Sequence, residues 1–293
     1  MNNLKVKFKP YILLAPALFI ILGIFMTGII IGFAQSLGYF PVIGLRELTL
    51  KYYKEILTDK EFLTSLKFSL YISLVSSVIA VITGVALAYL MLHNKHKKGV
   101  EQVLYKLPIV VPHIVAALLM YNILSQSGLL PRLLYNLGVI NSQQEFPALI
   151  FDKRGIGVIA AYLWKEIPFI AMVVYTVLAN INDRLTQVAL NLGASKGQIF
   201  WHVLLPLAMP SIISSFIIIF AFSFGAYEVP YLLGPTSPKA LAVQAYVEYS
   251  HPDLANRPYA MAVNSILTII SFILIWIYEK SFRILGGNSE EIR

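Results

Sequence analysis

The chain has 293 residues, 58% of them hydrophobic and only 13% charged, with a net charge of +8 and no cysteine; its mean hydropathy is +0.72. Soluble domains carry about 25% charged residues, so these values describe an integral membrane protein. The lack of cysteine excludes a disulfide framework, a thiolate metal site and a cysteine nucleophile. In a soluble protein such basicity would suggest nucleic acid; here Lys and Arg gather at the ends of apolar runs, where they anchor helices, and no nucleic-acid partner is expected.

Six apolar runs follow in chain order: Tyr11 to Ala34, Phe68 to Leu92, Leu107 to Leu130, Ile156 to Leu178, Ser211 to Leu233 and Tyr259 to Tyr278. The first, preceded by Lys5, Lys7 and Lys9, imitates a signal peptide. A signal h-region has about 7 to 15 apolar residues, however, whereas this run can cross the roughly 30 Å hydrocarbon core at about 1.5 Å per residue. Runs of this length exceed what a barrel strand needs, and backbone groups in lipid must be satisfied internally, so the fold class is all-α with six transmembrane helices. Gly28 with Gly32, and Gly84 with Ala88, have the small-residue spacing that lets helices approach closely.

An even number of spans puts both termini on one side. The short segments holding Lys95, Lys97, Lys98, Lys106, Arg184, Lys196, Lys280, Arg283 and Arg293 are dense in positive charge, which places them and both termini in the cytoplasm. The expected organisation is therefore a cytoplasmic N-terminus over 1–10, a transmembrane domain over 11–280 and a cytoplasmic tail over 281–293. Long loops of about residues 35–67, 131–155 and 234–258 fall outside, the last with a short helix expected from Leu241 to Tyr249.

Lys165 and Glu166 lie near the middle of the fourth run, where a charge costs at least about 2.5 to 3.5 kcal/mol and so marks a pathway. Neighbours on a helix point about 100° apart, so each must find another partner or line a cavity. With Trp164 beside them, Ser223, Tyr227 and Glu228 at the end of the fifth run, and Asn122 with Gln126 on the third, they form the candidate lining of a translocation path. On this reading Ser223 and Tyr227 share a helix face at i, i+4, as do Asn122 and Gln126.

Between the fourth and fifth runs stands a polar segment, Asp183 to Pro206. Leu185, Val188, Ala189 and Leu192 fall at i, i+3, i+4 and i+7 and predict a short helix with one apolar face. Phe200, Val203, Leu204 and Leu207 form a second stripe, and Gly193 and Gly197 between the stripes can take the angles of a sharp bend. Burying a Leu or Val side chain is worth about 1.5 to 3 kcal/mol, so such stripes should sit against a partner protein. A helix lying on lipid would carry several basic residues on its polar face, and here Arg184 and Lys196 are alone.

Gly193, then nine residues, Val203, one residue, and Leu205-Pro206 resembles the cytoplasmic loop of the permease subunits of binding-protein-dependent ABC importers. That family's pattern begins Glu-Ala-Ala, three residues, Gly; here Gln187-Val188-Ala189 stands in the first three places. Trp164 to Phe169 and Glu228 to Pro235 are similar to flanking segments of the spermidine/putrescine, iron(III) and thiamine branch. The resemblance implies a type I ABC importer permease fold in the inner membrane of a prokaryote. It implies two separate ATPase subunits, which hold ATP and Mg and each grip one such loop, through Gln187, Ala189, Leu192, Gly193, Ala194, Phe200, Val203, Leu205 and Pro206 in this chain. A second permease subunit, identical or not, and an external substrate-binding protein complete the implied assembly. Glu166 and Glu228 against Lys165 tilt the cargo toward a cation such as a polyamine. The alternative is a stand-alone secondary transporter or channel, which would need neither the amphipathic segment nor partners; an inverted internal repeat would support it, and none is found.

Several lookalikes fail on context. Gly193-Ala194-Ser195-Lys196-Gly197 matches the G-x-S-x-G nucleophile pattern but has no strand before it, and no phosphate-cradling G-x-x-x-x-G-K-[ST] occurs, so neither a catalytic residue nor a cofactor is expected in this chain. His93 and His96 stand at i, i+3 without a third ligand nearby and read as a solvated basic turn, so no metal is expected. His113, close to Pro108 and Pro112, reads as a packing residue.

Overall fold

The computed structural model describes residues 2–93, 106–181 and 183–286. Lys95, His96, Lys97, Lys98 and Arg293 lie outside the described residues, as do the side chains of Lys5, Lys7, Lys9, His93, Arg184 and Arg283. The described residues are helical with one isolated bridge, Phe40 to Leu45. The helices are α1 (Asn2–Ser36), α2 (Lys51–Thr58), α3 (Lys60–His93), α4 (His113–Leu124), α5 (Leu129–Asn136), α6 (Ile156–Asn180), α7 (Asp183–Asn191), α8 (Lys196–Ile199), α9 (Leu205–Gly225), α10 (Glu228–Leu233), α11 (Leu241–Tyr249) and α12 (Arg257–Gly286). Six stretches are long and apolar enough to cross a membrane: Leu13–Ser36, Lys60–Leu92, His113–Asn136, Ile156–Asn180, Lys196–Gly225 and Leu254–Ile277.

The expected spans are all present, and α11 has the bounds read for it in the sequence. Two runs are broken where the apolar pattern is continuous. The third divides at Val111-Pro112 and again between Leu124 and Leu129. Pro112 has no N–H to continue a helix and disfavours the helical conformation at Val111. At Gly128 an added Cβ would lie 2.7 Å from the Asn122 carbonyl oxygen, so the second break is a turn too tight for a side chain. The fifth run ends as a helix at Gly225, Ala226 is extended, and α10 starts afresh at Glu228. The pairings of Ser223 with Tyr227 and of Asn122 with Gln126 on one helix face are therefore corrected: each second residue lies beyond the end of its helix.

The chain divides into two compact units, residues 1–62 with 244–268, and residues 63–243 with 269–293. In the first, Ser36 Oγ and Tyr53 Oη lie 2.7 Å apart, and Tyr259 donates to Asp59 Oδ2 at 3.1 Å. The Arg257 guanidinium stacks 3.9 Å over the Tyr249 ring.

The second unit holds two apolar clusters. One gathers Phe68, Ile72, Ala117, Val158, Tyr162 and Val229; the other gathers Ala80, Ile170, Val174, Leu178, Leu204 and Ile219. On each of α3, α6 and the α9–α10 stretch the chain passes from one cluster to the other. The residues between are polar: Ser73, Ser76 and Ser77 on α3, Lys165 and Glu166 on α6, Ser223 on α9, all buried. A buried polar layer thus separates two apolar ones.

Gly84 lets α3 and α6 approach, since a Cβ there would meet Ile170 at 2.7 Å and the Ile167 carbonyl at 3.1 Å. This places the Gly84–Ala88 pattern inside one subunit. A Cβ added at Gly28, by contrast, would meet nothing within 4 Å among the described residues beyond its own helix.

Candidate functional site

Two arrangements hold the residues expected in coupling and on a path: the segment after α6, and the buried polar layer.

In the segment, α7 ends in a turn at Gly193, whose φ of +83° is the left-handed conformation that glycine adopts without strain. Ser195 then starts α8 with a capping box: its backbone N–H donates to Gln198 Oε1 at 2.8 Å, and its hydroxyl accepts from Gln198 N at 3.3 Å. Gly197 is an ordinary helical residue, so of the two glycines only Gly193 makes the bend. A π-helical turn, Phe200–Leu204, joins α8 to α9, so the second stripe is continuous with the fifth span. The S-x-x-Q signature of the cap is present in the sequence, overlapping the G-x-S-x-G match that fails for want of a preceding strand.

The two stripes face different ways. Leu185, Val188 and Leu192 are 49%, 55% and 83% exposed. Phe200, Val203 and Leu205 pack instead on the apolar cluster around Ala80, Val174 and Leu178, with Ala189 and Ala194, and the Phe200 ring lies 4.5 Å from that of Tyr89 on α3. Gln187 and Pro206 are exposed. The expectation that both stripes await a partner is corrected: Phe200, Val203 and Leu204 of the second anchor the segment to the spans, leaving Leu207 exposed, while Leu185, Val188 and Leu192 of the first are uncovered.

In the polar layer, the Lys165 ammonium donates to the Pro108 carbonyl at 3.0 Å and to the Val111 carbonyl. The cause is the break at Pro112. In a continuous helix the Pro108 carbonyl would accept from the N–H of residue 112, which proline lacks, and Lys165 supplies the missing donor. Glu166 turns to another neighbour. Its Oε1 accepts from the Ser223 hydroxyl, Ser76 lies beside the carboxylate while donating to the Ser73 carbonyl at 3.2 Å, and Tyr162 donates to the Ser223 carbonyl at 3.3 Å. Lys165, Glu166 and His113 border a cavity of about 190 Å³, with the His113 ring 4.2 Å from Phe222.

Of the residues expected on a path, the structure brings together Lys165, Glu166 and Ser223. Trp164 is half-buried on the same helix, and Glu228 stands in the first turn of α10. Asn122 is exposed and donates to its own helix at Leu118 (2.8 Å), and Tyr227 is 40% exposed beyond the end of α9. Sequence reasoning does not reach Ser76 or the Pro108 and Val111 carbonyls, and it takes His113 for a packing residue only. The available signal for Ser76 is the spacing of Ser65, Ser69, Ser73, Ser76 and Ser77 along an otherwise apolar run.

Residues 77–283 match the family model for the binding-protein-dependent transport system inner membrane component. The chain belongs to that family. It is a permease subunit of an ABC importer and a multi-pass membrane protein. Among curated relatives it is 27% identical over 224 residues to the spermidine/putrescine transport system permease protein PotB of Haemophilus influenzae, covering 76% of each chain. It is 24% identical over 219 residues to a probable sulfate transport system permease protein of Marchantia polymorpha, covering 74% of this chain and 73% of the other. A chain from the crystal structure of a bacterial alginate ABC transporter, in complex with alginate pentasaccharide-bound periplasmic protein, superposes with a TM-score of 0.76 at 20% identity, covering 97% of both chains. That likeness shows the fold. The relatives' named cargoes carry opposite charges, so kinship alone does not choose a cargo for this permease.

Proposed function

We propose that this permease carries a small cationic solute of the polyamine class and is driven by two separate cytoplasmic ATPases, which hold the ATP and Mg. Segment 183–206 is the grip, which puts it and both termini, residues 1–10 and 281–293, in the cytoplasm. A second permease subunit, identical or not, closes the path, and an external binding protein delivers the cargo. ATP-driven closure of the ATPases then tilts the spans and switches access from one side to the other, each state favoured by a different ligand.

One observation carries the coupling: an exposed apolar stripe, Leu185, Val188 and Leu192, on a helix fixed at its far side to the spans. Such a stripe is costly to leave in water and transmits force only if its base is rigid. Phe200, Val203 and Leu205 supply that rigidity by packing on the cluster around Val174 and Leu178. The cation preference is supported by Glu166 in the polar layer and by the likeness to a polyamine permease.

Co-expression with candidate ATPase subunits tests the reading. The wild-type permease is expected to pull an ATPase through purification, and Leu185→Glu with Leu192→Glu is expected to lose it while still inserting. Wild-type transport without any ATPase would overturn the proposal.

A further inference from the structure

We propose that Glu166 is the acceptor for a primary ammonium of the cargo, with the adjoining cavity holding the alkyl chain behind it. This rests on the cation reading above and assigns it to one carboxylate and one cavity.

Glu166 is only 6% exposed. Its Oε1 is engaged by Ser223, and among the described residues its buried Oε2 has no well-aligned hydrogen-bond partner, the nearby Ser76 hydroxyl donating to the Ser73 carbonyl instead. A buried polar atom left in this state is costly, and an intramembrane carboxylate more so, which is why native proteins rarely keep one without a ligand or partner to receive. The nearest cation in sequence does not fill the role. Lys165 points elsewhere around the helix and is held by the Pro108 and Val111 carbonyls, and among the described residues Glu166 makes no ion pair.

The space beside the carboxylate has the complementary shape and chemistry. A volume of about 190 Å³ is several times the ~30 Å³ that one water occupies in the liquid. Its walls are Ile109, Phe169, Ile218, Ile219 and Phe222, and its polar border is His113, Glu166 and Lys165, whose ammonium is held by the Pro108 and Val111 carbonyls. Methylene groups suit such walls, and the two phenylalanines offer ring faces that attract an ammonium. The terminal –CH2–NH3+ of a diamine suits a mainly apolar slot bordered by one carboxylate whose neighbouring cation, Lys165, is already held by backbone carbonyls. An anionic cargo would meet Glu166 as a repulsion.

The test is uptake of radiolabelled putrescine and spermidine by the whole importer, with its ATPases and binding protein, in a host lacking its own polyamine uptake. Glu166→Gln keeps the size and an acceptor for Ser223 but removes the charge. Its uptake is expected to fall at least about tenfold, a change of ~1.4 kcal/mol, with Glu166→Asp between it and wild type. Co-purification of the ATPases at the wild-type level shows that the variant complex is intact. Should Glu166→Gln not assemble, Ile218→Trp decides: it fills the cavity from a position that is 57% exposed and leaves the charge alone. Reduced uptake supports the assignment and unchanged uptake overturns it. Wild-type uptake retained in Glu166→Gln would overturn the Glu166 site and leave the polyamine reading standing. A wild-type importer that takes up neither amine would overturn both.

Discussion

The segment after the fourth span and the middle of that span break opposite rules. The first holds Leu192 83% exposed in the turn just after a connecting helix, and the second keeps Lys165 and Glu166 buried in a membrane-crossing one. Each departure has a compensating structure on one side only. The exposed stripe is anchored behind by Phe200 against Tyr89, and the buried charges are held by the Pro108 and Val111 carbonyls and by Ser223. What is left uncompensated, an apolar face in one region and a carboxylate oxygen in the other, is what a partner or a cargo would complete. On the proposed reading, function in this chain stands where the local environment is satisfied only in part.

Substitutions can separate the two regions. The largest effect is expected from Gly193→Val. Its φ of +83° is unfavourable for a β-branched residue by about 1 to 3 kcal/mol, while among the described residues an added Cβ meets nothing within 4 Å, so the change is expected to act through the bend. Cargo-stimulated ATP hydrolysis by the reconstituted importer is expected to drop about tenfold or more with normal insertion, and full coupling would count against the bend. Next comes Lys165→Met, which removes the donor from two carbonyls at the Pro112 break. At about 1 to 3 kcal/mol per orphaned group it should lower the melting temperature of the detergent-solubilised complex clearly; an unchanged melting curve would show that the break is satisfied some other way.

Gly84→Val is expected to cost about 1 to 3 kcal/mol, because its side chain meets Ile170 where α3 and α6 approach. Lower yield of folded permease would report it, in contrast to Gly84→Ala, whose smaller intrusion should cost less. The smallest change is Ser195→Ala, which removes the hydroxyl half of a capping box worth about 1 kcal/mol. It should loosen α8 without releasing the anchor, and hydrogen exchange confined to residues 195–199 would show this. Exchange spreading into α9 would mean that the anchor depends on the cap.

Much of this was legible in the sequence because the apolar runs and the Gly193 to Pro206 spacing are local signals. The breaks were less so. Pro112 was visible, but an apolar run does not show that the carbonyls beside it find Lys165, which lies 54 residues beyond Val111. Nor does it show that Gly225 ends a helix whose apolar pattern continues to Leu233. The two stripes of the segment also look alike in sequence. Only packing against Tyr89 and Val174 tells which is anchor and which is face, since helical periodicity gives a face but not what lies opposite it.

The absence of native cysteine allows a direct measurement at the tip of the exposed stripe. With Leu192→Cys as the only cysteine, a short bifunctional reagent is predicted to cross-link the permease to its ATPase in inside-out membrane vesicles, and a membrane-impermeant maleimide is predicted not to reach it in right-side-out ones. Labelling of the Leu192→Cys permease from the outer side, or failure to cross-link in an importer that is hydrolysing ATP and transporting, would contradict the account.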